Sequence, residues 1–414
     1  MIYLDYNATT PVDPAVIAAL TQCLTDTYGN PSSTHSLGKA AKAALDTART
    51  QVASLLRCPA NAVLFLSGGT ESINYVLKGM LSLPAHQRHI ITSAIEHVAI
   101  TATCAFLEAE HGFEITYVPV DSRGRVKVEE VVAAVRPATC LVTIMHANNE
   151  VGTVQPIAAV AAAAKARHAS LREADTRALR PLLVHSDASQ SVGKIPVHVD
   201  ALGVDFLTVA GHKLYAPKGV GALYIRPGTR PLQTLMHGAG HENGLRAGTE
   251  NIPYAVALGV ACALAEDGFD DKAKALWRLR CRLLDQLQAL LPDVDMVVNG
   301  PTTGTSAKIA SVLMGLAEHD VLPNTLSIGL AGVQAAQLLR AIEGDVAASA
   351  GSACHSHTTS ISAVLKAMAV ESTYAMGTLR LSVGRYTTVE EVDKAATVIA
   401  AAVRQQLHKK PRHD

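Results

Sequence analysis

Two side chains that together can do chemistry stand about one strand-length apart: Asp187, in Asp187-Ala-Ser-Gln190, and Lys213, in Ala210-Gly-His-Lys213. Each ends an apolar run. Leu182-Leu-Val-His-Ser186 reads as a buried strand that delivers Asp187 at its carboxyl end, and Phe206-Leu-Thr-Val209 as the next strand, delivering Lys213. In an open α/β sheet, ligands collect at the carboxyl ends of strands. A lysine able to form a Schiff base, and an acid that keeps a pyridine nitrogen protonated, are what pyridoxal phosphate chemistry requires. The pair alone is weak ground, since strand ends bearing Asp or Lys are common.

Further polar groups fall at the same edge. Ser67-Gly-Gly-Thr-Glu71 follows a strand and opens a helix. Gly68 and Gly69 allow close backbone approach, and Thr70 can cap a helix whose N-terminal amides attract an anion. The loop therefore reads as a phosphate cradle with Thr70 and His212 as side-chain donors, or as a plain strand–helix turn. His97 follows Ile90-Ile-Thr-Ser-Ala-Ile-Glu96 and is either a ring-stacking proton carrier or a helix cap. Asn149, in His146-Ala-Asn-Asn149-Glu150, can reach a cofactor's phenolic oxygen or the substrate, and Gln190, three residues past Asp187, can reach the same phenolic oxygen; their alternatives are turn and first-turn helix residues. Arg380 lies between Leu379 and Leu381 in a strand, and is either a bidentate clamp for a substrate carboxylate or half of a structural ion pair. Ser349-Ala-Gly-Ser-Ala-Cys354-His-Ser-His357 offers one thiol among small residues. A structural cysteine is usually buried as a small hydrophobe, so an exposed loop with two histidines suits a reactive thiolate better. His355, His357 and Cys354 are poorly spaced for a closed tetrahedral metal site, and no metal is expected.

The elements that must hold these residues alternate. Strands are expected at 63–66, 90–93, 115–120 and 141–145 besides the two above, with helices at 13–20, 37–56, 70–81, 97–110, 128–135 and 157–168 between them. Such alternation means a mainly parallel, doubly wound sheet. Past a break near 249–253, helices at 253–266 and 271–290 lead to strands at 325–328, 346–349 and 378–383 with helices at 334–342, 361–368 and 389–407. The expectation is a large α/β domain, 12–252, and a smaller α+β domain made of 1–11 and 253–414. Two stretches, 171–180 and 300–323, resist assignment.

Composition agrees. The 414 residues suffice for two domains. Lys+Arg and Asp+Glu number 36 each, which points away from nucleic acid and from anionic membrane surfaces. With 49% hydrophobic and 4% aromatic residues, the core must be aliphatic, as in helix-covered parallel sheets. No apolar run approaches ~20 residues, and the 7 cysteines are scattered without a Cys-x-x-Cys pair. A soluble, cytoplasmic protein is expected.

Taken together, Tyr3-Leu-Asp-Tyr-Asn-Ala-Thr-Thr-Pro11, Gly29-Asn-Pro-Ser-Ser33, Ser67-Gly-Gly-Thr-Glu71, Glu96-His97, Asn148-Asn-Glu150 and Gly211-His-Lys213 resemble the class V aminotransferase-like enzymes. With Gly240-His-Glu242, Arg246-Ala-Gly-Thr249 and Gly351-Ser-Ala-Cys354, the chain resembles the cysteine desulfurases and selenocysteine lyases, from Ile2 to the last helix. The resemblance implies the fold type I architecture of pyridoxal-phosphate enzymes, an active homodimer, and L-cysteine or L-selenocysteine as substrate, with L-alanine as product. It implies that Lys213 carries the internal aldimine, Asp187 pairs with the pyridine nitrogen and His97 stacks on the ring. By the same resemblance Gln190 and Asn149 contact the cofactor, Gly69, Thr70 and His212 surround the phosphate, and Thr249 reaches the phosphate of the neighbouring subunit. Arg380 would hold the substrate carboxylate, and Cys354 would be the sulfur acceptor, passing sulfur to an acceptor protein, or an acid catalyst.

Some features depart from the usual desulfurase pattern: Ala210 replaces a serine, His355 follows Cys354, and the interval between Asn149 and Asp187 is long. With Asn7 these resemble animal selenocysteine lyases, so selenide release from L-selenocysteine is the alternative to persulfide formation on Cys354. An ordinary aminotransferase or β-lyase needs no exposed thiol, and a non-catalytic scaffold needs neither Lys213, Asp187 nor His97.

Overall fold

A computed structural model describes residues 1–175, 177, 179–229, 232–301, 320–350 and 361–408. The chain opens with β1 (Ile2–Tyr3) and α1 (Pro14–Asp26). Asp13 caps α1 by accepting from the Ala15 N–H, and Pro14 occupies the first turn, where a missing N–H costs nothing. The helix continues past the stop expected at Leu20. α2 (Ser36–Leu56) buries Ala41, Leu45, Ala48, Val52 and Leu56 along one face.

Strand and helix then alternate: β2 (Val63–Leu66), α3 (Gly69–Lys78), β3 (His89–Ser93), α4 (Val98–His111), β4 (Glu114–Val118), α5 (Val128–Ala134), β5 (Thr139–Thr143), α6 (Ile157–Glu173), β6 (Leu183–Asp187), α7 (Val199–Leu202), β7 (Phe206–Ala210) and β8 (Gly221–Ile225). α6 runs on to Glu173, so the polar stretch from 171 begins as helix. β8 is not among the expected strands. Seven strands form one sheet in the order β2-β8-β7-β6-β5-β3-β4. β8 is antiparallel to β2 and to β7, and the other pairings are parallel. Because β2 and β7 both oppose β8, β2 points the same way as the parallel strands. The carboxyl ends of β2, β3, β5, β6 and β7 therefore share one edge.

The sheet is covered on both faces. Val63, Phe65, Ile91, Val142, Val184, Leu207 and Val209 join one apolar cluster with α2 and α6. Their alternating neighbours Leu64, Leu66, Ile90, Leu141, Leu183 and Phe206 join another with α3 and α4. This is the doubly wound α/β arrangement of fold type I pyridoxal-phosphate enzymes.

After α8 (Ile252–Glu266) and α9 (Phe269–Leu290) come β9 (Met296–Val298), β10 (Thr325–Leu330), α10 (Ala335–Ile342), β11 (Val346–Ala347), α11 (Ala363–Ala367), α12 (Ser372–Ala375), β12 (Thr378–Ser382) and α13 (Val389–His408). β10 pairs antiparallel with β12 and β9, and β1 pairs parallel with β11. A separate core forms here from α9, β10, α10, β12 and α13, and Ile2 and Leu4 join it. α8, by contrast, packs Ala255, Leu258 and Ala261 into the large sheet's first cluster. Among the described residues, no single helix is long and apolar enough to cross a membrane.

Candidate active site

The strand ends deliver their polar residues together. Asp187 closes β6, 7% exposed, and its Oδ1 accepts from the Ser189 N–H at 2.9 Å and the Ser189 hydroxyl at 2.5 Å. Its Oδ2 makes no hydrogen bond among the described residues. Lys213 ends the short turn after β7, half-buried, and its Nζ donates to the carbonyls of Asn7 and Ala8.

Beside them runs the Ser67–Thr70 loop. Gly68 has φ 150° and ψ −175°, a conformation essentially reserved for glycine. A Cβ on Gly69 would lie 3.2 Å from Ser189 Oγ and 3.4 Å from Ala210 Cβ. On Gly221, in β8, it would lie 2.8 Å from Gly68 Cα. Gly69 thus rests closely on the ends of β6 and β7, while at Gly68 the backbone conformation, not space, calls for glycine. The first intrahelical bond of α3 is donated by Ser72 to Gly68, at 3.1 Å, so the N–H groups of Gly69, Thr70 and Glu71 lack a helical acceptor. Thr70 is exposed at this helix start. Glu71 braces the loop from behind, accepting from the Ser67 N–H at 2.6 Å and Arg246 Nε at 3.1 Å.

His97 caps α4, its Nδ1 accepting from the Ala99 N–H at 3.1 Å. Its proton affinity is lowered by desolvation, against the pull of the Asp187 charge, with Lys213 adding to the lowering. A neutral ring with Nδ1 as acceptor carries its proton on Nε2. His97 is therefore the helix cap, and it also stands within electrostatic reach of Asp187 and Lys213. Beneath it, burial raises the Glu96 carboxyl to about 8 despite hydrogen bonds from Ser93 and the Met145 N–H, the Asp187 charge acting in the same direction as burial. His212 bonds Thr9 Oγ1 through Nδ1 at 3.2 Å, and burial followed by the Lys213 charge holds it at about 4.

The N-terminal segment ties these pieces together. Asn7, fully buried, offers its carbonyl to Lys213 and to Gln190 Nε2, the latter at 2.9 Å. Its Nδ2 donates to the Asn149 carbonyl at 3.1 Å and to Thr325 Oγ1 at 2.8 Å, and its Oδ1 accepts from Asn324 at 2.9 Å. One asparagine therefore bridges the large sheet's edge and the small sheet. Arg380, 2% exposed in β12, points at this junction, with Nη2 on Asp5 Oδ1 at 2.8 Å and Nη1 on the Asn149 carbonyl at 3.2 Å. Its buried Nε has no partner among the described residues. An orphaned buried donor beside an ion pair is what a carboxylate ligand would satisfy.

Of the expected residues, Asp187, Lys213, Gly69, His97, His212, Gln190, Asn149 and Arg380 are thus linked by contacts or electrostatics. Thr249 is exposed and makes no described bond to the others. Cys354, with His355 and His357, lies outside the described residues. The hub role of Asn7, and the parts of Asp5 and Ser189, do not stand out in the sequence. A buried polar row under the site is equally hidden: Thr143 Oγ1 bonds His185 Nδ1 at 2.8 Å, His185 Nε2 bonds Thr208 Oγ1 at 2.9 Å, and Thr208 bonds Ser72 Oγ at 2.7 Å.

The donor set fits pyridoxal 5′-phosphate. The amides of Gly69–Glu71 suit its phosphate, the unengaged Oδ2 of Asp187 its pyridinium, and the Lys213 amine its aldehyde.

Comparison with known proteins agrees with this geometry. The family described as Aminotransferase class-V matches residues 2–395. The cysteine desulfurase IscS of Dictyoglomus turgidum is 39% identical over 400 residues, covering 96% of this chain and 93% of that protein. Among solved structures, a NifS-like protein superposes with a TM-score of 0.84 at 36% identity, over 98% of this chain and 99% of that one. SspA, solved in complex with cysteine, gives 0.73 at 30% identity, over 94% and 100%.

Proposed function

The chain belongs to the class V aminotransferase family and, within it, to the cysteine desulfurases, a family of pyridoxal-phosphate enzymes, and we propose that Lys213, Asp187, His97 and Cys354 carry the release of sulfur from L-cysteine around a bound pyridoxal 5′-phosphate. The observation that carries this reading is the position of Gly69, where a Cβ would meet Ser189 Oγ at 3.2 Å and Ala210 Cβ at 3.4 Å. An anion-binding helix start thereby shares one floor with the strand ends that bear Asp187 and Lys213.

The Gly69–Glu71 amides, with Thr70 and His212, hold the phosphate. Asp187 keeps the pyridine nitrogen protonated, Gln190 and Asn149 meet the cofactor's polar rim, and His97 lies against its ring. When bound, the cofactor supplies an electron sink for charge on the substrate's α-carbon. Arg380 holds the substrate carboxylate, with Nε as the donor still to be matched. Lys213 anchors the cofactor at rest and, once freed by substrate, takes the α-proton. The Cys354 thiolate attacks the substrate sulfur: the S–S bond forms as the Cβ–S bond breaks, and the carbon left behind regains protons to leave as L-alanine. His97 is placed to carry one of those protons. The persulfide on Cys354 passes to an acceptor protein.

In this reading the cofactor unit is 12–252, while 1–11 with 253–414 is the unit that carries Arg380 and Cys354. The working form is a homodimer, Thr249 serving the neighbouring subunit's phosphate. The free cysteines among the described residues suit a reducing compartment, the cytoplasm.

The test is turnover of L-cysteine against L-selenocysteine at matched concentration, following alanine. Cysteine turnover is expected, lost in Lys213→Ala for both substrates and lost for cysteine in Cys354→Ala. Cysteine turnover that survives either substitution sinks the assignment of that residue. Turnover of selenocysteine alone would move the chain to selenide release.

A further inference from the structure

One buried cation near the site has no part in the reaction described above. Lys194 is 7% exposed, and no carboxylate pairs with it among the described residues. It sits in the turn after Asp187, where Ser191 and Val192 N–H both bond the Ala188 carbonyl and Lys194 N–H bonds the Ser191 carbonyl. That helical winding places Lys194 one turn beyond Gln190, on the same side. Its Nζ donates to the Gln190 carbonyl at 3.0 Å and to Gln190 Oε1 at 3.2 Å. Gln190 Nε2 in turn donates to the Asn7 carbonyl at 2.9 Å, the same carbonyl that receives Lys213 Nζ.

Chemistry fixes the direction of this chain without reference to how an amide is drawn. A lysine amine at this site donates, so the Gln190 atom facing it must be the oxygen; a backbone carbonyl only accepts, so the atom facing Asn7 must be the nitrogen. An amide nitrogen has two hydrogens, and Asn7 takes one. The other is left for whatever lies across Asn7 from Lys194. Without Lys194 the Asn7 carbonyl alone would set the amide's sense, and the Gln190 Oε1 would lose the one described donor that anchors it.

We propose that Lys194 is a positioning residue, which fixes the Gln190 side chain with its N–H face toward Asn7 and the cofactor's phenolic oxygen. The proposal rests on the cofactor reading above. An amide N–H on that oxygen stabilises its ionised form, and so lowers the pH at which the lysine-linked cofactor loses its proton. The buried amine adds to this when charged. Burial, then the nearby charge of Lys213, bring Lys194 itself down to about 7. The titratable groups in electrostatic contact with it are Lys213 and His212, both on the turn after β7.

The experiment is an absorbance titration of the purified holoenzyme, reading the pH midpoint of the lysine-linked cofactor and, separately, its dissociation constant. In Lys194→Met the midpoint is expected to rise by about one unit, a tenfold gain in proton affinity. Lys194→Arg, which keeps the donor, should return it most of the way. Gln190→Met should shift the midpoint in the same direction, and the double variant should add little to either single one, since both act through one amide. An unshifted midpoint in a folded Lys194→Met protein overturns the proposal, as does full additivity in the double variant. If the Met variant does not fold, Lys194→Ala, which also lacks a donor, is read in its place, and its midpoint decides in the same way. A wild-type protein whose spectrum shows no lysine-linked cofactor defeats the cofactor reading instead, and is recognised before any variant is made.

Discussion

Strands β6 and β10 are both central and wholly buried, yet they place their polar residues differently. In β10, Leu326, Ile328 and Leu330 face the small core while Thr325 and Ser327 face the other way, toward Asn7 and Asn299. That is the period-2 pattern of an antiparallel strand with one apolar face. In β6, Leu183 and Val184 enter the cores on opposite faces, and the polar residues His185, Ser186 and Asp187 crowd the carboxyl end. Position along the strand replaces face as the organising variable. A strand covered on both sides has no solvent face for polar groups, so each must find a buried partner: His185 has Thr143 and Thr208, Ser186 has the Ile144 carbonyl, and Asp187 has Ser189. Only Asp187 keeps an oxygen unmatched. The small sheet's strand turns its polar residues to one face, and the large sheet's ends in a carboxylate with an oxygen unmatched among the described residues, the one proposed to meet the cofactor.

The contrast can be broken most directly at its reactive end. Asp187→Asn keeps the shape and the Ser189 contacts but removes the charge. Turnover is expected to fall about 10³-fold, in the range set by loss of a positioned acid–base partner, while the melting temperature holds. Alanine release and calorimetry read the two quantities, and a large loss of stability with turnover retained would assign Asp187 to the scaffold. Leu326→Ala in β10 should do the reverse. Its side chain is fully buried, so the cavity should cost about 2–5 kcal/mol in urea unfolding with turnover per folded molecule unchanged. A fall in turnover matching that of Asp187→Asn would erase the distinction between the strands.

The smallest expected effect is graded with pH. Burial holds His89, His146 and His185 at about 4, and all three lie in the large sheet's strands or at its edge. The unfolded chain protonates histidine near 6.5. A depressed folded pKa contributes stability that is present above the unfolded value and is lost as pH falls from about 6.5 toward about 4. The large unit should therefore open first in acid, seen as hydrogen exchange spreading through β3, β5 and β6 before β10 and β12. His89→Gln should flatten the acid limb, and an equal slope in wild type and variant would rule out His89 as a source.

Much of this was legible residue by residue. An apolar run followed by Asp, Lys, Gly-Gly-Thr or Glu-His announces a strand end in a parallel sheet, because burial on both faces forces polar groups to the ends. Asp187, Lys213, Gly69 and His97 follow from that rule alone. β8 escaped it because Gly219 and Gly221 interrupt its apolar run; the second of these is glycine because the Gly68 backbone passes over it. Arg380 was left between clamp and ion pair. The fold gives it Asp5 as an ion-pair partner and, among the described residues, leaves Nε unmatched, so the ion pair is present and the clamp stands as a proposal.

Asn7, Asp5 and Lys194 escaped for a different reason. Asp5 and Asn7 stand in the motif Tyr3–Pro11, but their contacts are not local: Asn7 meets Gln190 across 183 positions, and Asp5 meets Arg380 across 375. The sequence by itself determined the parallel strands, the edge they share and the polar side chains at that edge, since these depend on burial patterns a few residues long. Which buried donors face which acceptors was decided only by tertiary structure. Hydrogen bonds and ion pairs act over a few ångströms, and it is the packing of the two sheets against the N-terminal segment that brings such distant residues within that range.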